Sequence, residues 1–189
     1  MSGKLIIFSG PSGTGKTTIV KNMLQKNPGL EFSISACSRA KREGEVDGKD
    51  YYFLTSEEFK NKIDKGEFIE WQEVYAGNYY GTLKTEIERI HNKGHHVVFD
   101  IDVKGAINIK KMFPGNSLSL FIMPPSLDEL KNRLVKRSTE NAQTLSKRLA
   151  KAEEEISFSE KFDKVIVNKN LDTACLETYI AIEDFIHQP

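Results

Sequence analysis

The chain has 189 residues, 39% of them in the hydrophobic class, with 13 glycines, a composition that supports one globular domain with or without an insertion. Basic and acidic residues balance at 27 each, which argues against a nucleic-acid coat or a membrane-surface protein, since both need a standing excess of one sign. The longest apolar runs are four residues, far short of the ~20 that a bilayer span requires, and the opening MSGK shows no signal-peptide architecture. Cys37 and Cys175 lie far apart without metal-ligand spacing, so they are expected to be free thiols in a reducing cytoplasm.

Leu5-Ile6-Ile7-Phe8 is a short apolar run beside glycine, the pattern of a parallel strand covered on both faces. Residues 10–17 follow, and then Ile19, Val20, Met23 and Leu24 mark one face of a helix that stops at the breaker Asn27-Pro28-Gly29. Residues 33–92 read differently: short alternating segments (50–54, 67–74 and 78–82) surround one helix that starts near Ser56. His96-Val97-Val98-Phe99 is a second buried strand, ending at Asp100-Ile101-Asp102, and a helix with Val103, Ile107 and Ile109 on its apolar side comes next. A third strand over 117–123 is stopped by Pro124-Pro125, after which Ser126 caps a helix opened by Asp128 and Glu129. Residues 131–151 hold seven basic side chains against Glu140 alone. A fourth strand over 164–167 and an amphipathic helix over 172–187 complete the chain. This alternation predicts an α/β fold, a parallel sheet wrapped by helices. Residues 1–32 and 93–189 would form its core, and 33–92 a small mixed α/β insertion on the rim.

Gly10-Pro11-Ser12-Gly13-Thr14-Gly15-Lys16-Thr17 matches the phosphate-loop pattern G-x-x-x-x-G-K-[ST] in full, between a buried strand and a helix start. Glycines allow successive backbone N–H groups to converge on phosphate oxygens, and the following helix adds its N-terminal partial charge. Lys16 would reach the β- and γ-phosphates of a nucleoside triphosphate, and the Thr17 hydroxyl would ligate Mg²⁺. Asp100, closing the second strand, stands where a carboxylate would hold that Mg²⁺ through water. Asp102 fits either the same neighbourhood or a cap on the helix at Val103.

A phosphate loop alone leaves kinase, GTPase and motor readings open, but the base-reading box N-K-x-D of a GTPase is incomplete at Asn168-Lys169-Asn170-Leu171. The insertion carries a second anion site. Arg39 and Arg42 lie three apart beside turn glycines, in a stretch (39–50) with four basic and four acidic residues. Two planar guanidiniums suit the bidentate grip of one phosphate, and Tyr51 and Tyr80 could add hydroxyl donors.

The runs GPSGTGKTT, SISACSRAKREGEVDGKDYYF, EFIEW, GNYYGT, FDIDVKG, LFIMPPS and KFDKVIVN, in this order and at these intervals, resemble guanylate kinase over essentially the whole chain. The resemblance implies ATP and GMP (with dGMP as an alternative) as small-molecule substrates, with Mg²⁺ and no nucleic acid or membrane partner. It implies an ATP site over Gly10 to Thr18, with Asn168 meeting adenine. Arg39, Arg42, Tyr51 and Tyr80 would hold the GMP phosphate. Glu70, Thr82 and Ser35 would read the base, the carboxylate accepting from the adjacent N1–H and N2–H of guanine and the hydroxyls donating to its O6. Asp100 and Asp102 would serve the Mg²⁺ shell or the nucleotide nearby. Residues 131–151 would be a helical lid carrying Arg137 and Arg148. Two departures stand out. The family's R-x-P-R reads Arg39-Ala40-Lys41-Arg42, and its lid motif G-R-G-T reads Lys136-Arg137-Ser138-Thr139, so the proline stiffener and two lid glycines are absent.

Overall fold

The computed structural model describes residues 3–137 and 142–188. In chain order the elements are β1 Leu5–Ser9, α1 Lys16–Lys26, β2 Leu30–Phe32, β3 Ala36–Cys37, β4 Tyr52–Phe53, α2 Ser56–Asp64, β5 Phe68–Tyr75, β6 Asn78–Leu83, α3 Lys84–His91, β7 His96–Asp100, α4 Val103–Met112, β8 Ser117–Met123, α5 Leu127–Arg137, α6 Ala142–Ile156, β9 Lys164–Val167 and α7 Leu171–Ile186. The fold is α/β with a parallel central sheet, ordered β2-β7-β1-β8-β9, and a second four-stranded sheet ordered β4-β3-β6-β5.

Strand periodicity explains the layering of the central sheet. Ile6 and Phe8 of β1 point to one face and meet Ile19, Val20 and Met23 of α1 and Ala181 and Ile182 of α7. Leu5 and Ile7 point to the other face and meet Ile87 and Ile90 of α3 and Val103, Ala106 and Ile109 of α4. Each such side chain, fully buried, contributes about 1.5–3 kcal/mol. β9 lies at the sheet edge and buries only Ile166.

Two elements of the central layer were not anticipated. β2 supplies a fifth core strand, pairing in parallel with β7 from Leu30↔His96 to Phe32↔Val98. α3, which the sequence reading included in the insertion, packs through Ile87 and Ile90 on the central sheet. The chain thus rejoins the core layer at residue 84.

The second sheet is mixed. β3 pairs parallel with β4, while β6 runs antiparallel to both β3 and β5. A two-residue turn with Gly77 at φ 77° closes the β5–β6 hairpin. Phe59 of α2 stacks on Phe68 at 4.3 Å and covers the back of the sheet with Ala36. α2 is fixed by a capping box, with Thr55 Oγ1 accepting from the Glu58 N–H and Glu58 accepting from the Thr55 N–H.

Register places the functional groups. Phe8 pairs with Asp100 at the carboxyl ends of β1 and β7, directly before the phosphate loop. In the hairpin, Glu70 pairs with Thr82 and Gln72 with Tyr80.

Candidate active site

At the end of β1 the chain turns through Gly10, Gly13 and Gly15, at φ 135°, 91° and 90°, conformations open to glycine and strained for other residues. The loop is held from inside and outside. Thr14 Oγ1 donates to Pro11 O at 2.9 Å, and Asn168 Nδ2 donates to Thr14 O at 2.7 Å. A Cβ at Gly15 would stand 2.4 Å from that same Asn168 nitrogen. Lys16 Nζ donates to Gly10 O at 3.2 Å and pairs with Asp100 Oδ1 at 2.9 Å. Thr17, Asp100, Asp102 and Glu155 line a cavity of about 300 Å³ with Pro11, Ser12 and the rest of this loop.

Asn168 departs from the expected contact with adenine in one respect. Its side chain is buried and its amide nitrogen is committed to the loop backbone. It nevertheless borders an open cavity of about 460 Å³ with Gly13, Gly15, Thr18, Arg133 and Lys136. Arg133, which sequence reasoning passed over, donates to Asn168 O at 3.0 Å and so ties α5 to the loop after β9.

The second sheet faces the core across a cavity of about 190 Å³, bordered by Ser35, Tyr51, Glu70, Tyr80, Asp100 and Asp102. Glu70 is 6% exposed, and burial, with Asp102 adding to it, pushes its pKa up to about 7 against the hydrogen bond from Thr82. That bond bears on the role expected of Thr82. Its hydroxyl is fully buried and donates to Glu70 Oε1 at 2.8 Å, so the proton expected at guanine O6 is already engaged. Asp102 caps α4, with Oδ1 accepting from the N–H groups of Lys104 and Gly105 at 2.8 and 3.1 Å, and it also borders both cavities.

Arg39 lies over the rings of Tyr51 and Phe53, at 5.0 and 5.5 Å from their centroids. Its guanidinium forms a fork with Glu45, donating from Nη1 to Oε2 at 2.7 Å and from Nη2 to Oε1 at 2.6 Å. The pair holds the Glu45 pKa down at about 2. Glu45 also accepts from the Arg42 N–H at 2.8 Å, and the Arg42 side chain is exposed on the same loop. Glu45 was visible in the sequence only as one acid in a balanced run.

From the helical pair α5–α6, Arg148 Nη2 donates to Ser12 Oγ at 3.2 Å, across the phosphate loop. Arg137 ends α5, and its side chain, like residues 138–141, lies outside the described residues. Glu155, another carboxylate not singled out from the sequence, is buried enough to raise its pKa while facing the same loop. Cys37 and Cys175 are free and buried.

The family model for guanylate kinase matches residues 2–186. A guanylate kinase of Bacteroides thetaiotaomicron is 50% identical over 188 residues, covering 100% of this chain and 92% of its own length. One from Porphyromonas gingivalis is 48% identical, with 97% of this chain and 98% of that one covered. The crystal structure of guanylate kinase from Anaplasma phagocytophilum superposes with a TM-score of 0.77 at 33% identity, over 99% of this chain and 88% of that chain. Matched over nearly its whole length in both sequence and backbone, this chain belongs to the guanylate kinase family.

Proposed function

We infer that the chain transfers the γ-phosphoryl group of ATP to GMP, giving ADP and GDP, in purine nucleotide metabolism and GMP recycling, with dGMP as an alternative acceptor. Beyond family membership, one observation carries the choice of acceptor. A buried carboxylate, Glu70, shares a cavity with Tyr51 and Tyr80 and stands across Asp100 and Asp102 from a phosphate loop. Such a group matches the paired donors of guanine. Adenine, with an acceptor at N1, would leave it unpaired, a mismatch that a buried polar site rejects by ~10⁴-fold.

In this reading the core, with α3, holds ATP, the insertion up to residue 83 holds GMP, and 131–151 closes over both. Backbone N–H groups of residues 10–18 and Lys16 bind the ATP phosphates. Arg39, Arg42, Tyr51 and Tyr80 grip the GMP phosphate. Thr82 orients Glu70, which accepts from N1–H and N2–H, and Ser35 donates to O6. The GMP phosphate is itself the nucleophile, so no general base is invoked. The protein's work is to hold two anions in line and offset their repulsion. Arg137 and Arg148 would bring charge from the lid side and exclude water as it closes.

The residues present also fit Mg²⁺. The Thr17 hydroxyl and the Asp100 carboxylate offer hard oxygen donors beside the loop. Among the described residues no three His, Cys, Asp or Glu side chains converge as a cage, which suits an ion bound through one or two protein oxygens, waters and phosphates. When bound, Mg²⁺ neutralises charge on the β- and γ-phosphate oxygens. No helix among the described residues is long and apolar enough to cross a membrane, and we place the reaction in the cytoplasm, on small substrates and without nucleic acid.

The test is an assay coupled to ADP release, with Mg-ATP and GMP, AMP, CMP or UMP in turn. GMP is expected to exceed the others by orders of magnitude in kcat/KM; equal rates with AMP would overturn the assignment of Glu70.

A further inference from the structure

Away from both substrate cavities, one buried carboxylate gathers more partners than any packing need explains. Glu86 of α3 is 2% exposed. Its Oε2 accepts from the Ile34 N–H at 2.9 Å, and its Oε1 accepts from the Tyr52 hydroxyl at 2.7 Å. Tyr52 in turn donates its own N–H to Ser35 O at 2.9 Å. These bonds close a ring that runs from Glu86 through Ile34 and Ser35 to Tyr52 and back to Glu86. The ring surrounds the short passage by which the chain leaves β2 and enters the second sheet.

The ring is anchored on the core side. Arg89, one turn along α3, donates to Glu86 from Nε at 2.8 Å and from Nη2 at 3.0 Å. Its Nη1 donates to Glu31 on β2. Glu31 also accepts from Lys93 at 2.8 Å. Burial works against ionisation of Glu86, but the bonds from Arg89, the Ile34 N–H and Tyr52 outweigh it and hold the pKa below the usual range. The group is therefore a charged, fully partnered clamp, and buried networks of this kind fix a single local geometry.

What the clamp fixes is the GMP side. Ser35, inside the ring, borders the Glu70 cavity, and Tyr51, the neighbour of Tyr52, borders it too and lies under the Arg39 guanidinium. We propose that Glu86, through Tyr52 and the Ile34 N–H, is a positioning residue for GMP: it sets Ser35 and Tyr51 from behind the pocket without touching the nucleotide. This rests on the reading above that Ser35 and Tyr51 meet GMP. Among the described residues no hydrogen bond joins the ring to the phosphate loop, so its effect is expected on GMP rather than on ATP.

Tyr52→Phe removes one hydroxyl and leaves the apolar packing of the ring and the strand intact; Glu86→Gln keeps the shape and removes the charge. Steady-state kinetics on each, with GMP affinity measured separately by calorimetry without ATP, give the decisive split. The expected result is a KM and Kd for GMP raised about 3- to 10-fold, the weight of one or two hydrogen bonds. KM for ATP and kcat at saturating GMP should stay within about twofold. Unchanged GMP affinity in Tyr52→Phe, or an equal rise in KM for ATP and GMP, overturns the proposal and leaves the network a stability element only. Ser35→Ala and Tyr51→Phe serve as the separate arm. If these two leave GMP affinity unchanged, the reading of the pocket fails. If they weaken it while Tyr52→Phe does not, the clamp alone fails. Should Glu86→Gln not fold, Tyr52→Phe carries the test by itself.

Discussion

At the proposed ATP end the site is built on backbone: glycines stand at positive φ, Asn168 locks the loop through Thr14 O, and Lys16 is held by Gly10 O and Asp100. At the proposed GMP-phosphate end, residues 39–50, the positive groups are side chains, and the principal one, Arg39, is already paired with Glu45 along two hydrogen bonds. The first loop is thus held in shape by its own bonds. In the proposed reading the second must share or exchange an internal ion pair for a substrate phosphate, so its affinity would be a difference between two strong interactions. With Ala40-Lys41 in place of a stiffening proline, that loop also has more freedom to lose on binding. Specificity for the base is built a third way, from one carboxylate buried where it is reluctant to ionise.

Three experiments break or sharpen this contrast. The largest effect is expected from Lys16→Ala, which removes the lysine charge from a largely backbone-built site; kcat should fall roughly 10³-fold, as measured by the coupled assay at saturating substrates. Arg39→Lys is next. It keeps the charge but loses the fork and the ring contact, so KM for GMP should rise ~30-fold with KM for ATP unchanged. A matching rise for ATP would show that the two ends do not act separately.

The smallest effect is set by pH and concerns Glu70. In the proposed reading its carboxylate form receives guanine, and in the free enzyme that form is lost as pH falls through about 7. GMP affinity should therefore weaken by up to tenfold per pH unit below that point, as read by calorimetry, and Glu70→Gln should flatten the profile. Stability runs the other way. The folded state binds this proton more tightly than the unfolded chain, which titrates near 4.5, so folding stability falls as pH rises from about 4.5 to 7 and stays lower above. Glu70→Gln should relieve that loss, by ~2–3 kcal/mol at pH 8, in denaturant melts of the free enzyme.

Much of this was legible in the sequence because it is local. The phosphate loop is a contiguous pattern, and β1, β7 and β8 are apolar runs whose burial follows from their composition. β2 was missed because three residues, one of them Glu31, carry too little periodicity to separate from a loop. α3 was missed because it follows β6 directly, with Leu83 as an N-cap that makes no side-chain bond, so no punctuation marks its start. Partnerships across the fold left no local trace. Glu45 on Arg39 is six residues away, and Glu86 joins Ile34 and Tyr52 from 52 and 34 positions along the chain. Asn168 and Thr82 were singled out as substrate contacts, yet their nearest observed partners are Thr14 O and Glu70 Oε1. Residue type alone cannot distinguish a group that meets a ligand from one that aims its neighbour at the ligand.

Gly105, in the first turn of α4, draws these threads together. A single methyl group there would sit 2.6 Å from Glu70 Oε2, on the side of the carboxylate opposite Thr82. If Glu70 reads guanine as proposed, the room around its Oε2 depends on a hydrogen atom of α4. Enlarging that position would tilt the selector rather than remove it, so altered base preference could arise from a site that a search restricted to ligand contacts would overlook.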